Sequence, residues 1–572
     1  MMSQQGILAL NITQLGMSLG QMGRPDENVR FMDDIDVTLS MESKHTMALQ
    51  RTSIELAAKP IVFRASQQDI NLILAIVTHA TQLAAQSASG TAEADNEESK
   101  VSVTKTKTQT ISMEKPQLIV STEKLRASFD GFRFVLIGEG HEQPMVHLKT
   151  KPFQVNVQDW TGPMRASTAI SFDLNYWNLT NSHWEPLLEP WTFVVEANKD
   201  VSTQGMRIQV SSPYVLSANI TMTFVELALA ATSNWASEST RSLSRARGGT
   251  PPYRIRNETG SALEIWSNTE AGSGQSTLLQ QGQIIDWRFD DWRSLREHVS
   301  ASGHNSLGIK FHGKDWETIP SVTVDKEGQF PVLLRPRMDG VLHRLLCDVV
   351  VEDNVKLVTL RSTYKIDNEC LYPLEVILVD EHNKPVYAPQ KIDAKQSYSL
   401  PIEAVMRNRI KIRPDAGFGF GWSIESFKWE DLTKRPNHIV TCRSHDAENA
   451  PFRLSLWAEK DGDKSRTYPK LNVKLYPPIE LENLLPFDIR YRVHDKASNT
   501  SSTEFLRQGG VFPIHTVTLD HLVLLNIAIQ DSGVWKPSNF MIINTNTAEF
   551  TRDKRLILPD VSGRQLELGL NY

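Results

Sequence analysis

A pattern of alternating apolar residues ending on an asparagine occurs three times in this chain, with the same offsets each time. The copies read Tyr253-x-Ile255-x-Asn257 followed by Leu263 and Ile265; Tyr364-x-Ile366-x-Asn368 followed by Leu374 and Val376; and Ile479-x-Leu481-x-Asn483 followed by Ile489 and Tyr491. Period-two alternation on both sides of a short connection carrying Gly260, Pro373 or Pro486 is the pattern of two half-buried strands joined by a turn. The asparagine interrupts the apolar face at a fixed place, where its amide can bond backbone groups that the turn leaves unpaired. Asn257, Asn368 and Asn483 are therefore read as structural turn residues. They lie 111 and 115 residues apart, the length of a small β-domain and too long for a solenoid turn.

Later landmarks keep the register. A second turn follows each asparagine by about 25 residues, at Gly282, Lys395 and Gly509-Gly510, and the second and third copies then share a proline, Pro401 and Pro513. Trp316, Trp422 and Trp535 follow their asparagines by 59, 54 and 52 residues. A large aromatic recurring at one point of short-strand domains predicts a core anchor between two sheets. The expectation is three tandem β-sandwich modules, at 251–361, 362–475 and 476–572, the last one shorter than the others.

The first 235 residues read differently. Ile35, Val37, Leu39 and Met41 alternate as one strand and Ile54 with Leu56 as the next. Ser66 caps a helix with Asp69 as its capping-box partner, and Ile70, Ile73, Leu74 and Val77 give it an apolar stripe, so one helix is expected near 67–86. Residues 86–115 are rich in Ser, Thr, Lys and Glu and predict a disordered loop. Three alternating runs follow: Phe153, Val155, Val157; Ile170, Phe172, Leu174; and Leu216, Ala218, Ile220, Met222, Phe224. Each has one apolar and one polar face, and no amphipathic helix is expected to cover the apolar side. Either a second sheet closes over it or the sheet stays open. Residues 236–250 look like a flexible linker, with Arg241, Arg245 and Arg247 as solvated charges.

Composition narrows the function. A net charge of −6 with no dense Lys/Arg cluster gives no basis for a nucleic-acid partner. Three widely spaced cysteines, Cys347, Cys370 and Cys442, point to a reducing compartment. The longest helical apolar run, Leu72–Val77, is too short to cross a bilayer, so membrane contact is expected to be peripheral. There is no H-E-x-x-H, C-x-x-C pair, G-x-S-x-G or P-loop. Gly417-Phe418-Gly419-Phe420-Gly421 lacks the lysine and following helix of a phosphate loop and reads as a bend. No catalytic residue, metal ligand or cofactor is assigned, and the chain is read as a non-enzyme.

Two stretches carry a resemblance. The asparagine repeats, together with Trp184-Glu185-Pro186-Leu187-Leu188-Glu189-Pro190-Trp191 preceded by Tyr176 and Asn178, resemble the vacuolar protein sorting thirteen (chorein) family of bridge-like lipid transfer proteins. The resemblance implies a mostly β chain: an open twisted antiparallel sheet forming a lipid trough, then adaptor-binding β-sandwich repeats. It favours the open sheet, and makes Phe153, Val155, Val157, Ile170, Phe172, Leu174, Leu216, Ile220, Met222 and Phe224 trough candidates holding phospholipid acyl chains. It implies Pro-x-Pro adaptor proteins as partners of the whole adaptor-binding region, with the main groove in repeats beyond the three here. It implies a cytoplasmic, peripheral location at contacts between endosome, vacuole, mitochondrion and endoplasmic reticulum. The rival reading is a scaffold of sandwiches that binds proteins and no lipid.

Overall fold

The computed structural model describes residues 4–45, 49–90, 120–199, 205–236, 246–269, 272–273, 276–297, 305–446, 448–460, 470–543 and 554–571. Residues 91–115 of the expected loop and 237–245 of the expected linker, with Arg241 and Arg245, lie outside the described residues; residues 86–90 belong to a helix.

The N-terminal part is one sheet of 11 strands: β1 (Gln4–Gln21), β2 (Arg24–His45), β3 (Leu49–Ala58), β4 (Ile61–Ser66), β5 (Val120–Phe129), β6 (Phe132–Ile137), β7 (Pro144–Thr150), β8 (Phe153–Gln158), β9 (Arg165–Asn178), β10 (His183–Lys199) and β11 (Met206–Ser211). Three of the breaks are local. Lys59-Pro60, Asp130-Gly131 and Lys151-Pro152 divide β3 from β4, β5 from β6 and β7 from β8, and the halves keep the same neighbours. Proline removes a ladder donor and Gly131 sits at φ 120, so these residues form a crease across the sheet. Bonds such as Ile61 N to Gly131 O (3.1 Å) and Asp130 N to Ala58 O (3.0 Å) stitch the crease together. The sheet thus runs as long strands laid side by side in chain order. It departs from the all-antiparallel expectation at one place, because β3 and β4 run parallel to β5 and β6, joined by a crossover that starts with helix α1 (Gln67–Gly90).

The alternation from Leu216 to Phe224 does not form a strand. Residues 212–221 run beside β10 through a single bridge, Leu188 to Ala218, and Met222 and Phe224 lie in helix α2 (Met222–Ala236). Thr221 caps that helix, its hydroxyl accepting from the Phe224 N–H at 3.2 Å. Phe224 and the buried Leu227 are three apart, so the same residues satisfy a helical period and the cap decides between the two. The expectation of one helix, and of none after the strands, is corrected accordingly.

From Tyr253 onward the chain forms β-sandwiches. In the first two units the opening strand pairs in parallel with the closing one: Tyr253–Glu258 with Val355–Arg361, and Tyr364–Asn368 with Leu471–Tyr476. Each unit has its own buried cluster. Trp316 lies in the first, its ring 4.7 Å from that of Phe311. Trp535 packs at the margin of the third. Trp422 is corrected as a core anchor: on the short strand Phe420–Ser423 it is Ser423 that points inward, 1% exposed and bonded by Ile412 N, so Trp422 faces out beneath the Arg413 guanidinium, 4.2 Å from its ring.

The units join through the segment after the second turn. Ile402 enters the buried cluster of the first unit, its N–H bonds Thr259 O at 2.9 Å, and Pro401 sits against Gly260. Gly260 has φ +88 and a Cβ there would lie 2.5 Å from Pro401. Gly260→Ala is therefore expected to destabilise this joint by about 1–3 kcal/mol, read as a lower midpoint in thermal unfolding, through both the left-handed backbone and the clash.

Candidate functional site

Side chains paired across neighbouring strands point to the same face of a sheet, so the register alone maps the two surfaces. One line runs Leu8, Met41, Ile54, Leu125, Val157, Ala166, Ala197, Ile208 from β1 to β11. The line beside it runs Leu10, Leu39, Leu56, Ala127, Val155, Thr168, Val195, Val210, with Thr168 its single polar member. Between them, on the opposite face, lie Ser40, Glu55, Arg126, Asn156, Ser167, Glu196 and Gln209, all polar. At the ordinary strand spacing the apolar lines extend about 35 Å.

Beyond the crease the apolar face continues through Met17, Met32, Phe63, Phe134, Leu148, Leu174 and Leu188. Phe153 stacks on Phe129 at 5.1 Å; Phe172 meets Trp191 and Phe193 edge-on, and Ile170 pairs with Phe193. Among the described residues no second sheet packs over this face: α1 touches the sheet at β4 and α2 at β9. Leu8, Leu10, Ile208 and Val210 remain 48–62% exposed.

Of the sequence-derived candidates, the structure brings Phe153, Val155, Val157, Ile170, Phe172 and Leu174 onto one face. Leu216 and Ile220 are exposed on the segment beside β10, and Met222 is exposed at the start of α2. Phe224 packs against Tyr176, ring centroids 5.4 Å apart, and helps close one end of the face. Missed were the contributions of β1, β5, β10 and β11. Alternation at Leu8, Leu10, Ile12 and at Met206, Ile208, Val210 carried the signal.

The Trp184–Trp191 stretch has a physical basis. Glu185 accepts from the Tyr176 hydroxyl and from Asn178 Nδ2 (2.8 Å), while Trp191 donates its indole N–H to Tyr214 O at 2.9 Å. Pro186 and Pro190 coincide with two register shifts, where β10 arches away from β9.

The three asparagines make one set of bonds. Each Nδ2 donates to the carbonyl four residues on, Ser261, Tyr372 or Phe487, at 2.8–3.0 Å. Each also donates into the second turn, to Leu279, Ile392 or Leu506. Each Oδ1 accepts from the N–H two residues on, Thr259, Cys370 or Leu485. The backbone of each closes the same turn, Gly282, Lys395 and Gly509 donating to it, all three at positive φ. Losing the amide leaves several buried groups unpaired, so Asn368→Ala is expected to cost about 2–4 kcal/mol, checked by denaturant unfolding.

The sheet meets the first sandwich unit at the β9–β10 turn. Lys356 of that unit is 4% exposed, its ammonium donating to Ser182 Oγ and Asp325 O, and the Glu327 N–H donates to Thr180 O at 2.8 Å. Burial pushes the Lys356 pKa down to about 8, against the partial opposition of Asp325. A lysine lowered on folding contributes stability above its unfolded pKa that is lost as pH falls through the folded value. The stability difference between wild type and Lys356→Met is therefore expected to rise between pH 8 and 10 by up to about 1.4 kcal/mol per pH unit, measured by denaturant melts.

A single sheet with one continuous apolar face, followed by tandem sandwich units, defines an open β-trough protein with a repeat array. The VPS13-like family middle region matches residues 2–282, and the vacuolar-sorting associated protein 13 adaptor binding domain matches residues 291–572. The intermembrane lipid transfer protein VPS13 of Chaetomium thermophilum is 30% identical over 100% of this chain and 19% of its own length. Drosophila melanogaster Vps13D is 24% identical over 70% of this chain and 11% of its own, and Mus musculus VPS13A 20% over 91% and 18%. The chain belongs to the VPS13 family and spans about a fifth or less of the length of these relatives. Among the described residues no helix is long and apolar enough to cross a membrane.

Proposed function

We propose that this chain supplies a length of hydrocarbon-lined track for phospholipid movement between membranes, with a β-repeat array that contributes to adaptor-dependent placement. The observation that carries the reading is the register: apolar lines cross the whole sheet on one face, while the line between them on the other face is polar from β2 to β11. Laying acyl chain on such a face is favourable by about 0.8 kcal/mol per methylene, with no need for head-group contacts. A uniform apolar floor holds a lipid without fixing its position along the groove, which suits transport better than storage. The relatives named as lipid transfer proteins support the same reading. The action is physical, without a chemical step, and we assign no catalytic residue.

In this reading 1–235 is trough, 236–250 the link, and 251–361, 362–475 and 476–572 successive adaptor-region repeats. Their asparagines and the tryptophans Trp316 and Trp535 act structurally. Pro-x-Pro adaptors are the partners proposed for the complete array, with the principal groove outside these three units. Placement is peripheral, at contacts among endosome, vacuole, mitochondrion and endoplasmic reticulum.

Native mass spectrometry of the purified chain tests the trough. Wild type is expected to carry phospholipid, and Val155→Asp with Val157→Asp to lose most of it. Asn156→Asp, on the outer face of the same strand, is expected to retain it. A lipid-free wild type would favour the protein-binding scaffold instead.

A further inference from the structure

Four buried charged side chains from four separate segments meet where the sheet joins the first repeat. Asp69 comes from the first turn of α1, Glu142 from the β6–β7 loop, Arg247 from the stretch before the repeat, and Arg296 from the helical turn Trp292–Glu297 inside it. Their side chains are 0%, 2%, 5% and 2% exposed. Arg247 Nη2 lies 2.6 Å from Asp69 Oδ1, and Arg296 bridges Asp69 and Glu142 at 2.5 Å each. Arg247 and Glu142 complete the ring at 3.5 Å.

Two carboxylates and two guanidiniums cancel. A buried charge is tolerable only while its partners are in place, since removing one leaves an uncompensated ion in a medium that solvates it poorly. Burial works to raise the Asp69 carboxyl, but Arg296 and Arg247 together outweigh it and hold it below the ordinary range. Because each segment supplies a single charge, none can leave without stranding the others. The close packing around the ring is equally specific. Gly248, at φ +62, has the Trp292 ring where a Cβ would lie, and Gly140, at φ +87, has Thr250 Oγ1 there. The Thr250 N–H donates to Gly140 O at 3.0 Å.

We propose that this ring is a rigid coupling that fixes the angle between the repeat array and the sheet, so that a partner holding the repeats also sets the direction of the trough. The mechanical claim stands on the ring itself; its consequence for lipid delivery rests on the function proposed above. Arg247 and Arg296 are positioning residues and touch no lipid.

The test uses the full chain with spin labels at Glu55→Cys, on the outer face of β3, and Arg443→Cys, in the second repeat; the native cysteines are buried. Pulsed electron–electron distance measurement is expected to give one narrow peak in the otherwise wild-type chain. Arg296→Leu is expected to broaden it at least twofold. Amide exchange within β9 and within Ser306–Phe311 reports whether sheet and repeat remain folded. A peak that stays narrow in Arg296→Leu with both parts folded would overturn the proposal. If Arg296→Leu exposes either core, Glu142→Gln decides, because it removes one charge and keeps the shape: broadening supports the coupling and an unchanged peak overturns it. Neither measurement involves lipid, so failure here leaves the trough reading intact, and a lipid-free chain leaves the coupling intact.

Discussion

The structure depends on a constraint of strand geometry: side chains alternate, and cross-strand partners share a face. Once β2 and β3 pair Leu39 with Leu56 and Met41 with Ile54, every further strand that joins in register must place its apolar set on the same side. A slip of one residue in β5 or β8 would put Leu125 or Val157 on the polar face and Arg126 or Asn156 among hydrocarbon. The continuous apolar floor is the sum of many such local decisions. The bulges at the crease and in β10 bend it without changing its side.

Among the described residues no protein layer buries the apolar surface of this sheet, which distinguishes it from the sandwich units downstream. There, two sheets bury one another and the asparagine turns tie the strand ends together. The contrast separates two uses of one alternating pattern: in the repeats the apolar face meets protein, and in the N-terminal sheet it meets whatever occupies the groove. The junction between them combines an apolar contact, Val351 against Leu179 and Leu227, with charged groups, Lys356 beside that contact and the Asp69 ring at another. Charge pairing of this sort gives a defined geometry without covering the floor.

Much of this was legible from residues. The asparagine offsets foretold a bond set that the three copies share almost atom for atom, because turn chemistry is local and the amide must reach groups only a few residues away. Ser66 and Asp69 exchange the capping-box bonds expected of them. Two readings failed because burial is a tertiary property, and a third because one alternation fits two periods. Arg247 looked like a solvated linker charge and is buried by residues more than a hundred positions away. Trp422 looked like a core anchor and faces out, since Ser423 takes the inward position. Met222 and Phe224 fitted a strand and a helix equally well until Thr221 capped the helix.

The sequence by itself determined the alternation, the period of the repeats and the turn chemistry, since these follow from steric and hydrogen-bonding rules over a few residues. Only the tertiary structure decided that the alternating strands share one face, that α2 packs at one end of it, and that four distant charges meet in a neutral ring. Those outcomes depend on register and on desolvation by remote segments, quantities that no local window of the chain contains.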